Sequence, residues 1–317
     1  MPGGAQRPRL PSDPALNGAV LAIGTFEGVH RGHRVVIAAA QSRAAALGRR
    51  AGVFTFEPHP RAVFRPDEPV FRLTDETAKL RLLAATGLDG AIVMRFDAAL
   101  AALSAEDFVR RILIERYAVA GVVVGFDFHF GRGRAGSPAF LTAAGRSHGF
   151  TVDVVPAFSD GDLRISSGAV RTALAAGEVE VAAGLLGYPW FVSGEVVHGD
   201  KRGRELGFPT ANLRLDPACG LKHGIYAVRV AVGGKRYDGV ASFGRRPMFD
   251  TGVVLLEIYL FDFSGDIYGA SLDVAFIHWI RPELAFDSVE ALVRRIDEDC
   301  RVAKVVLARA PDAFPPI

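Results

Sequence analysis

Two histidines, His30 and His33, stand three residues apart in the stretch GTFEGVHRGHR, directly after the apolar run AVLAI. Imidazoles on the first turn of a helix that follows a strand have two uses. They could ligate a metal, but no third ligand is evident nearby, which speaks against a zinc site. They could instead face a phosphate, because a helix N-terminus offers unpaired N–H groups and positive partial charge to an anion. Two further donors there would stabilise charge developing on a nucleotide's phosphates during in-line displacement. Gly24, Gly28 and Gly32 keep the backbone close enough for that.

A second group of residues suits a different step on phosphate. In RGRELGFPTAN a basic, glycine-containing loop ends in an extended segment, since Pro209 removes a donor and biases Phe208 away from helix. Thr210 and Asn212 are two apart, so both side chains leave an extended chain on the same face. A hydroxyl and an amide oxygen side by side suit Mg²⁺, which prefers hard oxygen ligands shared with substrate phosphates. A polar turn with local hydrogen bonds accounts for the same pair. Glu257 lies inside VVLLEIYLFDF, with Leu255 and Tyr259 on its own face and Leu256 and Ile258 on the other. A carboxylate in an apolar strand is an edge residue, half of an ion pair, or a base for a hydroxyl attacking a γ-phosphate. In RISSGAVRTALAAG, Ser166 and Ser167 begin a helix, with Arg164 before them and Arg171 one turn later, an arrangement ordinary helices also show. The GxGxxG of GRGRAG, Gly131 to Gly136, is separated from its strand by FDFHF, so it reads as a basic loop rather than a dinucleotide fingerprint.

These residues need a scaffold, and the alternation of runs supplies one. AVLAIG, AGVFTF, AIVMRF, AGVVVG and TVDVVP are short and β-rich; HRVVIAAAQSRAAALG, TDETAKLRLLAATG, SAEDFVRRILIERY and SPAFLTAAGRSHG between them are helical. That order predicts a parallel sheet covered by helices, with strands apolar on both faces. Ser137 and Pro138 read as N-cap and first helical residue, Ser104 with Asp107 approximates a capping box, and Gly48 and Gly149 occupy C-terminal cap positions. From Trp190 onward come FVSGEVV, GIYAVRVAV, KRYDGVASFG, VVLLEIYLFDF and SLDVAFIHWI, which predict a closed antiparallel barrel. Ser288–Ala308 is amphipathic at helical spacing, with Val289, Leu292, Val293 and Ile296 on one face. The boundary falls near Gly187, giving domains 1–187 and 188–317.

At 317 residues two domains are expected. The longest uncharged run, Val181–Gly194, is broken by Gly184, Gly187 and Pro189 and is too short for the about 20 residues a membrane span needs. The N-terminal MPGGAQRPRLPSDP lacks an apolar core and reads as a loose tail. Cys219 and Cys300 have no paired spacing, which points to a reducing, cytoplasmic setting. A net charge of +2 is too small for a general nucleic-acid binder. Nothing in the sequence sets an oligomeric state.

An H-x-G-H after a Rossmann-like first strand resembles the nucleotidyltransferase superfamily, and further blocks narrow the likeness. GTFEGVHRGH, FTFEPHPR, GFDFHFGRGRAG and RISSGAVRTAL resemble the adenylyltransferase module of prokaryotic bifunctional riboflavin kinase/FAD synthetases. GEVVHGDKRGRELGFPTANL, GIYAVRV, GVASFGRRPMFDTG and LLEIYLFDFSGDIYG resemble the riboflavin kinase module, in the expected order. The resemblance runs from about Leu21 to Leu307. It implies a Rossmann-like nucleotidyltransferase domain followed by a β-barrel kinase domain with a C-terminal helix. It also implies two ATP-dependent steps, riboflavin to FMN with Mg²⁺ and FMN to FAD with release of pyrophosphate.

By the same carry-over Glu257 is the kinase base, and His30 and His33 are the catalytic pair of adenylyl transfer. Gly24, Phe26, Gly32, Arg164, Ser166, Ser167 and Arg171 meet ATP in the first half, and Gly199, Lys201, Gly207 and Pro209 meet it in the second. His59, Asp127, Arg134 and Arg281 meet flavin, and Thr210 and Asn212 hold Mg²⁺. Three positions depart from the pattern: Glu27 where aspartate is usual, Gly168 where a threonine follows the two serines, and Met248 for a small polar residue. The first two leave room for a kinase whose first half binds flavin or nucleotide without turnover. H-x-G-H alone would also fit an aminoacyl-tRNA synthetase-like ligase, against which the small charge and the lack of an evident tRNA-binding domain weigh.

Overall fold

The computed structural model describes residues 16–160, 163–199, 206–245 and 254–317. They form two compact units. One holds the described residues up to Val70, Thr74–Ser167 and Pro316–Ile317; the other holds Phe71–Leu73 and Gly168–Pro315.

In the first unit, β1 (Val20–Ile23), β2 (Ala51–Glu57), β3 (Gly90–Arg95), β4 (Gly121–Gly125) and β5 (Thr151–Val155) form one sheet in the order β3-β2-β1-β4-β5. Every pairing in it is parallel. β1 is buried along its whole length, as its uninterrupted apolar run requires. The covering helices are α1 (Arg31–Leu47), α2 (Pro60–Phe64), α3 (Glu76–Ala84), α4 (Ala98–Ala101), α5 (Ala105–Asp107) and α6 (Pro138–His148). α5 runs on into a wider, π-type stretch over Phe108–Arg116. The punctuation acts where the sequence placed it. Ser104 accepts the Asp107 N–H and Ser137 the Phe140 N–H, while Gly48 and Gly149 close α1 and α6 in the left-handed region. A two-residue pair, β6 (Ser159–Asp160) with β7 (Leu163–Arg164), follows the sheet. The order in which successive strands are added reverses between β1 and β4, and in such sheets ligands bind outside the C-terminal strand ends at that switch point.

The second unit begins with α7 (Ser167–Ala176, whose first residue belongs to the first unit) and α8 (Val179–Leu186). β8 (Phe191–Glu195), β9 (Thr210–Leu215), β10 (Gly224–Val232), β11 (Lys235–Arg245), β12 (Val254–Leu260) and β13 (Ser271–Arg281) then form an antiparallel sheet ordered β8-β13-β10-β11-β12-β9. A single bridge between Val197, just past β8, and Asn212 on β9 joins the two edges, so the barrel is nearly closed. The β10–β11 hairpin turns on Gly233 and Gly234, at φ 57° and 78°, as a tight two-residue turn with both central residues left-handed requires.

α9 (Val289–Arg309) starts at Ser288, which accepts the Ala291 N–H, and closes over Ala227, Val240 and Phe261. Its buried stripe runs through Cys300, Ala303 and Leu307. Val289, expected on that stripe, is 55% exposed, because packing against the barrel closes only toward the helix's C-terminal half. The parallel α/β unit, the antiparallel barrel and the terminal helix otherwise match the expectation. No helix of the described residues is long and apolar enough to cross a membrane.

Candidate active sites

In the first unit the turn after β1 carries the histidines. Phe26 is left-handed at φ 48°, ψ 34°, and a short turn Glu27–Val29 delivers His30 as the N-cap of α1. His30 Nδ1 accepts the His33 N–H at 3.2 Å, so the two side chains are organised by the helix start itself. Their rings stack at 3.6 Å, and His33 meets the Phe26 ring edge to face at 5.2 Å. Both imidazoles are held neutral. Burial pushes His30 down to about 4. His33 falls well below the usual range, first through burial and then through the charges of His30 and Lys79. Lys79 is buried and reaches Glu57 Oε1 at 2.5 Å.

These histidines open into a cavity of about 1120 Å³. Gly24, Phe26, Gly32, His59, Asp127, Arg134, Arg164, Ser166 and Ser167 line it too, so the residues singled out in the four sequence blocks, Arg171 excepted, converge on one space. Small-ligand sites usually span about 300 to 1,000 Å³, so there is room for more than one substrate. Ser167 Oγ donates to the Glu27 carbonyl at 3.1 Å, tying the fourth block to the first. Arg164 lies over the Phe126 ring at 5.3 Å and reaches Asp127 Oδ2 at 3.3 Å. Arg171 is placed in the second unit, where its Nε donates to the Phe71 carbonyl at 2.5 Å.

Sequence reasoning missed an aromatic group on the same cavity, Phe64, Phe96 and Phe128 among it. Phe64 is 64% exposed and packs edge to face on Phe96 at 5.5 Å. Such rings suit a planar, conjugated ligand. An apolar residue left exposed beside a polar cluster was the available signal, but it is visible only after folding.

The second site lies on the barrel. Asn212 on β9 stands directly opposite Glu257 on β12, and Glu257 directly opposite Ser242 on β11. Paired residues in an antiparallel sheet share a face, so the three side chains line one surface, with Thr210 two residues along. Leu256 and Ile258, on the opposite face, are fully buried. Glu257 is half-buried. Asn212 is 4% exposed, and its Oδ1 has no hydrogen-bond partner among the described residues. Gly199 packs on that amide so closely that a Cβ would fall 2.5 Å from Nδ2. Gly207 and Pro209 lead directly into β9. Lys201 and Met248 lie outside the described residues.

A second carboxylate, Glu283, sits over Gly244, where a Cβ would lie 2.1 Å from its Oε1. Gly244 is two residues from Ser242 on β11, so Glu283 covers the face that carries Glu257. Burial pushes the Glu283 carboxyl up; Glu257 adds to the rise, while His223 and Arg281 oppose it. Glu283 follows β13 in a loop without periodicity, and no sequence signal marks it. The Arg281 guanidinium is fully engaged. Nε and one terminal nitrogen bond Asp299 at 2.8 and 2.5 Å, and the other donates to the Pro282 carbonyl at 2.8 Å.

Comparisons with known proteins match two families in succession along the chain. Residues 12–169 match the family model described as FAD synthetase, and residues 186–307 match that described as riboflavin kinase. The bifunctional riboflavin kinase/FMN adenylyltransferase of Pseudomonas fluorescens is 41% identical over 300 residues, covering 93% of this chain and 95% of the relative. The protein of the same name from Escherichia coli (strain K12) is 41% identical over 283 residues, covering 89% and 90%. Among solved structures, one titled as a macrolide-efflux protein from Streptococcus pneumoniae superposes with a TM-score of 0.81 at 32% identity, covering 91% of this chain and 94% of that one.

Proposed function

The chain belongs to the family of bifunctional riboflavin kinase/FMN adenylyltransferases, and from that premise we propose which of its residues perform each reaction. The protein phosphorylates riboflavin to FMN with ATP, then transfers AMP from ATP to FMN, giving FAD and pyrophosphate. A kinase with a silent first half is the weaker reading, because the relatives are named for both activities.

We assign adenylyl transfer to residues 1–187 and the kinase to 188–317. The order of the two family matches supports this, although α7 and α8 pack with the second compact unit. Adenylyl transfer needs the FMN phosphate aligned on the α-phosphorus of ATP, a matter of position and charge. An FMN phosphate oxygen forms the new bond to phosphorus, and pyrophosphate leaves with the electron pair of the bond that breaks. His30 and His33, neutral at pH 7, donate to the phosphates as charge develops, and Arg164, Ser166 and Ser167 hold them. Gly24, Phe26 and Gly32 shape that end of the cavity. His59, Asp127 and Arg134 contact the flavin nucleotide.

In the kinase, Glu257 accepts the proton of the terminal ribityl hydroxyl as its oxygen bonds to the γ-phosphorus and ADP leaves. The buried Asn212 Oδ1, without a partner among the described residues, and the nearby Thr210 hydroxyl are hard oxygen donors that fit Mg²⁺. Bound there, the ion would neutralise phosphate charge. Gly199, Gly207 and Pro209 place backbone beside those phosphates, and Lys201, outside the described residues, is assigned to ATP with them. Arg281 serves the flavin indirectly, as anchor of the loop that carries Glu283. We assign both reactions to the cytoplasm.

The observation that carries the kinase assignment is Asn212 facing Glu257; for adenylyl transfer it is the stacked histidine pair at the switch point. Purified protein incubated with riboflavin, ATP and Mg²⁺ should yield FMN and then FAD on chromatography. Accumulation of FMN with no FAD would remove the adenylyl assignment.

A further inference from the structure

The turn after β1 buries a carboxylate that neither reaction, as assigned, uses. Glu27 is 2% exposed. Its Oε1 accepts the Thr74 N–H at 3.0 Å, and the Thr74 hydroxyl in turn accepts the Gly28 N–H at 3.3 Å. Its other oxygen, Oε2, lies 3.9 Å from Nε2 of His59. His59 is the N-cap of α2, and its Nδ1 accepts the Arg61 N–H at 3.2 Å. In a neutral imidazole one nitrogen accepts and the other carries the proton. The proton is therefore on Nε2, on the side of the carboxylate.

We infer that Glu27 is a positioning residue for adenylyl transfer, whose carboxylate orients the His59 ring in the cavity as its Nε2–H tautomer while its bonds to Thr74 brace the turn that carries His30. One carboxylate thereby ties two segments of the cavity wall, the turn after β1 and the start of α2, to the approach to α3 behind them. The departure from aspartate noted in the sequence acquires a use, since the longer side chain extends the carboxylate toward His59. The inference rests on His59 belonging to the adenylyl site.

The test is a double-mutant cycle in the full-length protein, reading FAD formation from FMN and ATP. Glu27→Gln keeps an oxygen for the Thr74 N–H but removes the charge that faces His59. Glu27→Gln and His59→Ala should each lower the rate by about 10- to 10²-fold, the scale of a misplaced binding group. The double variant should be no slower than the slower single one. Multiplying losses would overturn the inference, as would Glu27→Gln acting at the wild-type rate while His59→Ala is impaired. A silent His59→Ala would instead remove His59 from the site, and the inference with it. Circular dichroism and thermal melting of each variant against wild type report whether the first unit, which carries both residues, is folded. Should Glu27→Gln fail to fold, ¹⁵N NMR of labelled histidines in the wild-type protein decides: Nε2–H at His59 supports the inference and Nδ1–H overturns it.

Discussion

Asn212 and Glu257 stand directly opposite one another on β9 and β12, so an amide oxygen without a partner among the described residues and a half-buried carboxylate share one face of the barrel. Cross-strand partners of this kind have Cβ atoms about 4.5–5.5 Å apart. That separation suits a phosphoryl transfer in which one side chain binds the ion on the phosphates and the other takes a proton.

Thr210→Ala and Asn212→Ala should therefore weaken the kinase, most visibly at limiting Mg²⁺, and leave FAD formation from supplied FMN unchanged. Initial rates across a Mg²⁺ titration test this. A kinase rate equal to wild type at limiting Mg²⁺ in both variants would remove the metal assignment.

His33→Ala should slow FAD formation by about 10²-fold or more, the scale for losing one preorganised donor. Riboflavin phosphorylation should persist. Equal losses in both reactions would indicate a folding defect instead of a lost phosphate contact.

The first unit should also lose stability in acid. His30 is pushed down to about 4 by burial, from an ordinary 6.5, and His33 is shifted in the same direction. A base depressed by folding is protonated first in the unfolded chain. Its contribution is present above pH 6.5 and is lost as pH falls from there toward 4, for His30 roughly 3 kcal/mol. Melting temperature should drop across that window. In His30→Asn, which keeps an N-cap side chain, the drop should be shallower; an identical slope would mean that His30 is not the titrating group.

What could be read from the sequence was local. β1 to β5 were visible as apolar runs, and Ser104, Ser137, Gly48 and Gly149 as caps, because each acts on backbone within a few residues. Thr210 and Asn212 were placed on one face by the two-residue repeat of an extended chain. Register was not legible: that Glu257 faces Asn212 depends on how two distant strands pair. Nor was the partner of Arg281, which meets Asp299 one helix away. Val289 shows a further limit, since helical spacing identifies a stripe but not how far along it the barrel reaches.

The Arg281–Asp299 pair is buried on both sides, with side chains 9% and 4% exposed. Asp299→Ala should destabilise the second unit by about 3–5 kcal/mol, because it strands a charge in the interior. Replacing both residues by apolar ones should cost much less. Urea unfolding followed by Trp190 and Trp279 fluorescence measures both; equal losses in the single and double variants would show that the pair's geometry, not the stranded charge, carries the stability.

The most direct test of a chain that divides two chemistries between two halves is Glu257→Gln, assayed separately on riboflavin and on FMN. The substitution keeps the side chain's size and one oxygen, so β12 should pack as before. A positioned base contributes about 10² to 10⁴-fold to transfer from a hydroxyl. The variant should bind riboflavin and ATP and form almost no FMN. Given FMN, it should form FAD at the wild-type rate, since that phosphate is already ionised. Riboflavin phosphorylation near the wild-type rate, or loss of both activities in a folded variant, would contradict the account.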